Sequence, residues 1–251
     1  MTGSRVDVLG VHISTIDRPA AVAAIAGFVE ARARTYVCVT GVHGVMESQR
    51  DRALREIHNR SGLTTPDGMP MVWAAHRAGA LGTARVYGPD LMLDVCARAE
   101  REGWRHFFYG AAPGVADELA HRLVGRFPRL DVAGTLSPPF RAVGPEEDAS
   151  MVEAINAAGA DIVWVGLSTP KQERWMAAHR AQLGAPVLIG VGAAFDIHAG
   201  RVRQAPAWMQ RSGLEWAYRL QQEPRRLARR YLVNNPRFIL DIIRRPPHLV
   251  V

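Results

Sequence analysis

Residues 161–175 read DIVWVGLSTPKQERW, and the order of residue types in that stretch decides the fold class. Ile162–Val165 are apolar at every position instead of at alternate ones, which suits a strand covered on both faces of a parallel sheet. Gly166 ends the run, Ser168 or Thr169 supplies a capping hydroxyl, Pro170 suits a first helical turn, and KQERW opens a helix. The same strand–loop–helix order recurs on either side. Apolar runs predict strands at Val6–Val11, Tyr36–Thr40, Gly62–Thr65, His106–Tyr109, Asp131–Ala133, Ile162–Gly166 and Val187–Val191. Helical patterns fall between them, near residues 17–31, 43–59, 69–79, 89–102, 114–126, 146–158 and 169–182. This alternation predicts a doubly wound, mostly parallel, Rossmann-like α/β sheet. Ligands of such sheets sit beyond the carboxyl ends of the strands.

Composition narrows the class. The 251 residues are 48% hydrophobic and 22% charged, an ordinary globular balance with ample material for a core. No apolar run reaches the roughly 18–20 residues that span a bilayer, and MTGSRVDVLGVHIS lacks the pattern of a secretory signal. Cys38 and Cys96 lie in apolar runs, which indicates neither a disulfide framework nor a zinc cluster and fits a cytoplasmic protein. Charge is unevenly placed. Residues 1–200 hold 20 basic against 21 acidic side chains, whereas residues 201–251 hold 11 arginines against Glu215, Glu223 and Asp241. The sequence therefore predicts an α/β core over 1–200 and an Arg-rich helical appendage over 201–251, made of three short helices broken at Pro224 and Pro236. Concentrated positive charge points to an anionic partner: phosphate, anionic lipid or nucleic acid.

Four strand-end loops are candidates for chemistry. Thr40, ending the second strand in TGVHG, either binds substrate through its hydroxyl or serves as a cap or turn residue. Asp67 in TTPDGMP either takes a proton from an attacking hydroxyl or caps the helix starting near Met69. YGAAPG offers backbone N–H groups around Gly110, Pro113 and Gly114, ahead of a helix whose dipole would favour a diphosphate. In STPKQE, Lys171, the only lysine, falls with Gln172 and Glu173 at a helix N-terminus; a bound anion would relieve the clash with the dipole, and a solvated surface lysine is the plainer reading. GVGAAFDIHAG carries Gly190, Gly192 and Asp196 but neither the third glycine nor the following acid of a dinucleotide site, so no nicotinamide or flavin cofactor is expected. The nine histidines show no metal-ligand spacing, and D-x-D and G-x-S-x-G are both missing. No metal is expected, and cationic side chains are expected to take its place at a leaving group.

Taken in order, TPDGMPMVW, ARVYGPDLM, FFYGAAPGV, DIVWVGLSTPKQERWM, LIGVGAAFDIHAG and QAPAWMQRSGLEWAYRLQQEPRRLARRYL resemble the WecG/TagA/CpsF family of glycosyltransferases across essentially the whole chain. The resemblance implies cytoplasmic, inverting enzymes at the inner face of the membrane. They transfer an N-acetylmannosamine-type sugar, or a relative, from UDP to a sugar linked through diphosphate to a polyprenyl lipid, feeding wall teichoic acid, enterobacterial antigen or capsule assembly. By position it implies Asp67 as general base, and Thr40, Arg85 and Gln172 around the donor sugar and diphosphate. It also implies a nucleotide pocket from the GAAPG and STPKQE loops with Gly192, Phe195 and Asp196. Many relatives carry Thr-x-Asn after the second strand; here Val42 stands at the Asn position, and His43 is the neighbouring polar side chain.

Arg225, Arg226, Arg229 and Arg230 share one helical face beside Leu227, Tyr231 and Leu232, a pattern suited to an anionic membrane surface. Arg219 and Arg225 are further candidates for binding a diphosphate, with a solvated basic face as the alternative. The apolar residues after Gly200 leave a homo-oligomer open. A nucleic-acid-binding module rests on the basic tail alone, without any recognition motif, and nucleic acid is not expected as a partner. An oxidoreductase, or a family member that has lost catalysis, are the remaining readings.

Overall fold

This computed structural model describes residues 4–250, apart from the side chains of residues 226, 229 and 230. In chain order the elements are β1 (Arg5–Val8), β2 (Val11–Ser14), α1 (Arg18–Glu30), β3 (Thr35–Thr40), α2 (Val42–Arg50), α3 (Arg52–Arg60), β4 (Leu63–Pro66), α4 (Met69–Arg77) and α5 (Gly88–Glu102). There follow β5 (Arg105–Gly110), α6 (Val115–Arg126), β6 (Asp131–Leu136), α7 (Pro145–Ala157), β7 (Ile162–Gly166), α8 (Lys171–His179), β8 (Val187–Gly190) and α9 (Ala194–His198). The last are α10 (Ala207–Arg211), α11 (Glu215–Gln222), α12 (Pro224–Arg244) and β9 (His248–Val250). A six-stranded sheet runs β4-β3-β8-β7-β5-β6, and its β3–β8, β8–β7, β7–β5 and β5–β6 pairs are parallel. The doubly wound α/β expectation therefore holds.

The chain divides into two compact units. One comprises residues 19–38 and 88–203. Its central strands are covered on both faces, as the unbroken apolar runs require: Val163, Trp164, Val165, Leu188 and Ile189 have no exposed surface. Each such side chain contributes roughly 1.5–3 kcal/mol relative to leaving it in water. One polar side chain admitted to this interior is paired at one ring nitrogen, while its Nε2 has no partner among the described residues. His106 is fully buried and accepts a hydrogen bond at Nδ1 from Trp164 Nε1, 2.8 Å away; burial lowers its pKa to about 3, so the ring is neutral.

The other unit comprises residues up to 18, 39–87 and those from 204 onward. Here the predicted strand Val6–Val11 is two strands. Leu9 (φ 57°) and Gly10 (φ 88°) turn the chain back, and the Gly10 amide donates to Asp7 Oδ1 at 2.7 Å, so β1 and β2 form an antiparallel hairpin. The apolar run concealed the turn because Leu9 is itself buried. The predicted helix 43–59 is likewise two. Asp51 adopts an extended backbone and caps α3, its carboxylate accepting the Leu54 amide at 3.1 Å.

β9 pairs antiparallel with β1, and Phe238 of α12 joins the core of Val6, Val8, Val11, Ile13, Val45, Met46 and Met71. Of the two predicted helix breaks, Pro224 opens α12, whereas Pro236 lies within its 21 residues. Leu232, whose carbonyl loses its partner to Pro236, is on an exposed turn, while Asn234 and Phe238 on either side of the proline are buried and anchor the helix through it. Among the described residues no helix is long and apolar enough to cross a membrane.

Candidate active site

In the first-strand unit, the carboxyl ends of β3 and β4 are tied together: the Asp67 amide donates to the Thr40 carbonyl at 2.9 Å, and the Val86 amide to the Pro66 carbonyl at 2.9 Å. A side chain on Gly41 would meet the Asp67 carbonyl at 2.7 Å, so the two loops approach as closely as glycine permits. The N-cap of α2 is Gly41, and that of α4 is Gly68 at φ 90°. Thr40 Oγ1 is buried and has no hydrogen-bond partner among the described residues. Asp67 is half-buried, one residue ahead of the α4 cap.

Beside Asp67 lies a polar cluster built largely by α10 and α11. The Arg85 guanidinium lies 4.1 Å from the centroid of the Tyr87 ring, with Nη1 donating to Gln210 Oε1 at 2.9 Å and Nη2 to the Glu215 carboxylate. Tyr87 is buried; burial first, then the negative charges of Glu215 and Asp67, push its pKa well above the usual phenol value. It is therefore a neutral donor. Arg219 lies in the same cluster. Burial pulls its pKa down, but Tyr231, Tyr87, Glu215 and Glu223 outweigh that and hold it above the ordinary arginine value. The Nε atoms of Arg85 and Arg219 are buried without a hydrogen-bond partner among the described residues.

His43 is half-buried, with Nδ1 3.3 Å from Asn234 Nδ2 and 3.8 Å from Glu47 Oε1. Asn234 is buried and in turn accepts from Arg50 Nη2 at 3.2 Å. Arg225 is exposed. The shared face read for Arg225, Arg226, Arg229 and Arg230 lies, for the last three side chains, outside the described residues.

In the other unit, glycines end three neighbouring strands, and two of them are needed for close approach. A Cβ on Gly110 (φ 131°) would meet Gly166 backbone atoms at 2.7 Å, and one on Gly166 would meet the Phe195 ring at 2.7 Å. Phe195 is completely buried beneath Gly166, so it supports this strand end from the core side. The GAAPG loop leaves Pro113 and Gly114 exposed; Gly114, in the left-handed region, begins α6, whose first turn already carries Asp117 and Glu118. Ser137 braces this loop by donating to the Gly110 and Ala112 carbonyls at 3.1 and 3.2 Å.

α8 starts at Lys171 with Pro170 at the N-cap, one or two residues later than the expected Ser168 or Thr169 cap. Thr169 instead donates through Oγ1 to Glu173 Oε1 at 2.8 Å. Lys171 is exposed, whereas Gln172 and Glu173 are buried. Gln172 Nε2 donates to Glu173 Oε1 at 3.1 Å, and its amide packs against Gly190 and Gly192. Gln172 Oε1 and Glu173 Oε2 have no partner among the described residues. Asp196 is half-buried in α9. Among the described residues no three His, Cys, Asp or Glu side chains gather as a metal site.

A doubly wound α/β protein with its polar side chains gathered at strand ends is the class that these observations define. The chain belongs to the glycosyl transferase WecG/TagA/CpsF family, whose pattern matches residues 6–248, and it is a glycosyltransferase. It is similar to the N-acetylglucosaminyldiphosphoundecaprenol N-acetyl-beta-D-mannosaminyltransferase of Bacillus subtilis (strain 168), at 29% identity over 196 residues that cover 78% of this chain and 73% of the relative. The enzyme of the same description from Bacillus spizizenii (strain ATCC 23059 / NRRL B-14472 / W23) is 28% identical over 198 residues, 79% of this chain and 74% of the relative. The nucleic-acid reading of the basic tail is not favoured by this kinship. Sequence reasoning missed Tyr87, Gln210 and Glu215 as members of the polar cluster. Tyr87 stood inside ARVYGPDLM, but the partner that gives it meaning is far along the chain.

Proposed function

We propose that this glycosyltransferase moves a sugar from a UDP donor to a sugar carried on polyprenyl diphosphate, with inversion at the transferred carbon and without a metal ion. The observation that carries the reading is the setting of Asp67: half-buried at the end of β4, tethered by its own amide to Thr40, and beside Tyr87. A carboxylate so held takes the proton of the acceptor hydroxyl as that oxygen bonds to the anomeric carbon and the bond to the departing UDP breaks. The acceptor and the donor sugar follow from the names of the relatives, which point to an N-acetylglucosaminyl lipid diphosphate and an N-acetylmannosamine-type sugar. Val42, at the position where many relatives have Asn, leaves room for a different sugar.

Thr40, with its unbonded hydroxyl, and His43 are assigned to the donor sugar. Arg85, Arg219 and Arg225 are assigned to diphosphate charge, which guanidinium groups match in geometry. In the other unit, Gln172, Glu173, Lys171, Gly110, Pro113, Gly114, Gly192 and Asp196 are assigned to the nucleotide, with Phe195 supporting them from the core. α12 supports attachment to an anionic membrane on the inner face of the cell: Leu227, Asn234 and Phe238 face the core, while Leu232, Ile239, Leu240 and Ile243 form an exposed stripe. The product would enter cell-envelope polysaccharide synthesis.

The test is turnover of a panel of UDP-sugars with synthetic polyprenyl-diphosphate-N-acetylglucosamine, in EDTA, followed by UDP release and product mass. One donor is expected to react, with a loss of about 10²–10⁴-fold in Asp67→Ala. Failure to bind UDP overturns the donor assignment. Activity abolished by EDTA and restored by a divalent ion overturns metal independence.

A further inference from the structure

Arg85 and Glu215 are 130 positions apart in sequence, yet their side chains are hydrogen-bonded and only 13% and 16% exposed. The Glu215 carboxylate accepts an Nη2 hydrogen of Arg85. Gln210 takes an Nη1 hydrogen of the same guanidinium, and the Tyr87 ring lies beneath it at 4.1 Å. The guanidinium is thus held at both Nη ends and on one face. Its remaining buried donor, Nε, has no partner among the described residues. A planar fork fixed this way can meet an anion only along one edge and with little rotational freedom.

We infer that Glu215, on α11, is a positioning residue that sets the direction of Arg85 through their hydrogen bond, with the guanidinium laid on the Tyr87 ring. The inference rests on the reading above, in which Arg85 meets the diphosphate of the donor. Glu215 touches no reacting atom. Its effect on the reaction passes through Arg85, which is needed most as charge builds on the departing diphosphate. Its removal is therefore expected to act on kcat more than on KM. Glu215 also gives α11 a place in the chemistry: the residues from 204 onward supply both side chains that aim Arg85.

The experiment compares Glu215→Gln, Arg85→Gln and the double variant in the full chain, with UDP binding to the wild type measured first by calorimetry. Glu215→Gln keeps the volume and an acceptor oxygen but removes the charge. It is expected to lower kcat on the order of 10- to 100-fold, with a smaller change in the donor KM. Glu215→Asp should recover part of the loss. The double variant should be no slower than Arg85→Gln alone, because the two residues act as one unit. Additive losses, or an effect confined to the denaturation midpoint, overturn the inference. If Glu215→Gln is insoluble, Glu215→Asp, which shortens the reach to Arg85, should itself show the same non-additivity with Arg85→Gln. Absence of UDP binding to the wild type overturns the UDP-donor reading and this inference with it; binding with additive variants overturns the inference alone.

Discussion

The ring of Phe195 fills the space that a side chain on Gly166 would need, with Cγ and Cδ2 2.7 Å from the position of a Cβ there. Phe195 also packs edge-to-face on Phe108, its centroid 6.2 Å away, so it has little room to retreat. Gly166→Ala is expected to cost about 1–3 kcal/mol through overpacking. Gly110→Ala should cost more, since its Cβ would strike Gly166 backbone atoms and its φ is 131°. Urea midpoints of the two variants give the order directly; an unchanged midpoint in either would contradict the packing described.

Truncating Phe238 tests how far α12 contributes to the core of its unit. Phe238 is 5% exposed among Val6, Val8, Ile13 and Met46. Phe238→Ala should lower stability by about 3–5 kcal/mol, the usual cost of an aromatic-to-alanine cavity. Ile243→Ala, on the exposed stripe, should change it by less than about 0.5 kcal/mol while weakening adsorption to vesicles of anionic lipid.

Acid should destabilise the molecule partly through His106. Its pKa falls from 6.5 in the unfolded chain to about 3 in the native interior. Below pH 6.5 the unfolded chain binds a proton that the native site refuses, so this stability is full above pH 6.5 and is lost as pH falls toward 3. The slope is about 1 kcal/mol per pH unit across that window. His106→Gln keeps an acceptor for Trp164 and cannot titrate. Urea titrations at pH 7, 6 and 5 should show a flatter pH dependence in the variant, and parallel curves would refute the assignment.

Glu173 offers a contrast between folding and binding. Its Oε1 is used by Thr169 and Gln172, and its Oε2 is buried without a partner among the described residues. If that oxygen serves the nucleotide, Glu173→Gln should weaken UDP binding by about 10- to 100-fold. Calorimetry on the variant, with its denaturation midpoint as control, separates the two roles.

Much of the sheet was legible because parallel strands covered on both faces are written as unbroken apolar runs; Ile162–Gly166 was bounded to the residue. The same property hid the hairpin, since V-L-G-V reads as one run when the turn residue Leu9 is buried. Asp51 did carry a visible signal, an N-cap residue within an apparently continuous helix, and it split the expected helix 43–59 in two. Pro236 misled in the opposite direction: a proline breaks a helix only if packing on its two sides does not hold the axis. Thr40 and Asp67 were candidates from strand-end position, and the structure places them at the carboxyl ends of β3 and β4. The grouping of Arg85 and Tyr87 with Gln210 and Glu215 has no periodicity to betray it, because it depends on tertiary proximity between distant segments.

The pairing of β9 with β1 joins residues near 5 to residues near 250. A ribosome delivers β1 long before β9. The unit built from residues 19–38 and 88–203 has all its parts once residue 203 has emerged, whereas the unit that holds Asp67 must wait for residue 250 to complete its small sheet. β1 can pair with β2 as soon as both have emerged, but its other edge stays open until β9 is made. The carboxylate assigned to the reaction thus belongs to the unit whose small sheet is completed only after every part of the other unit has been made.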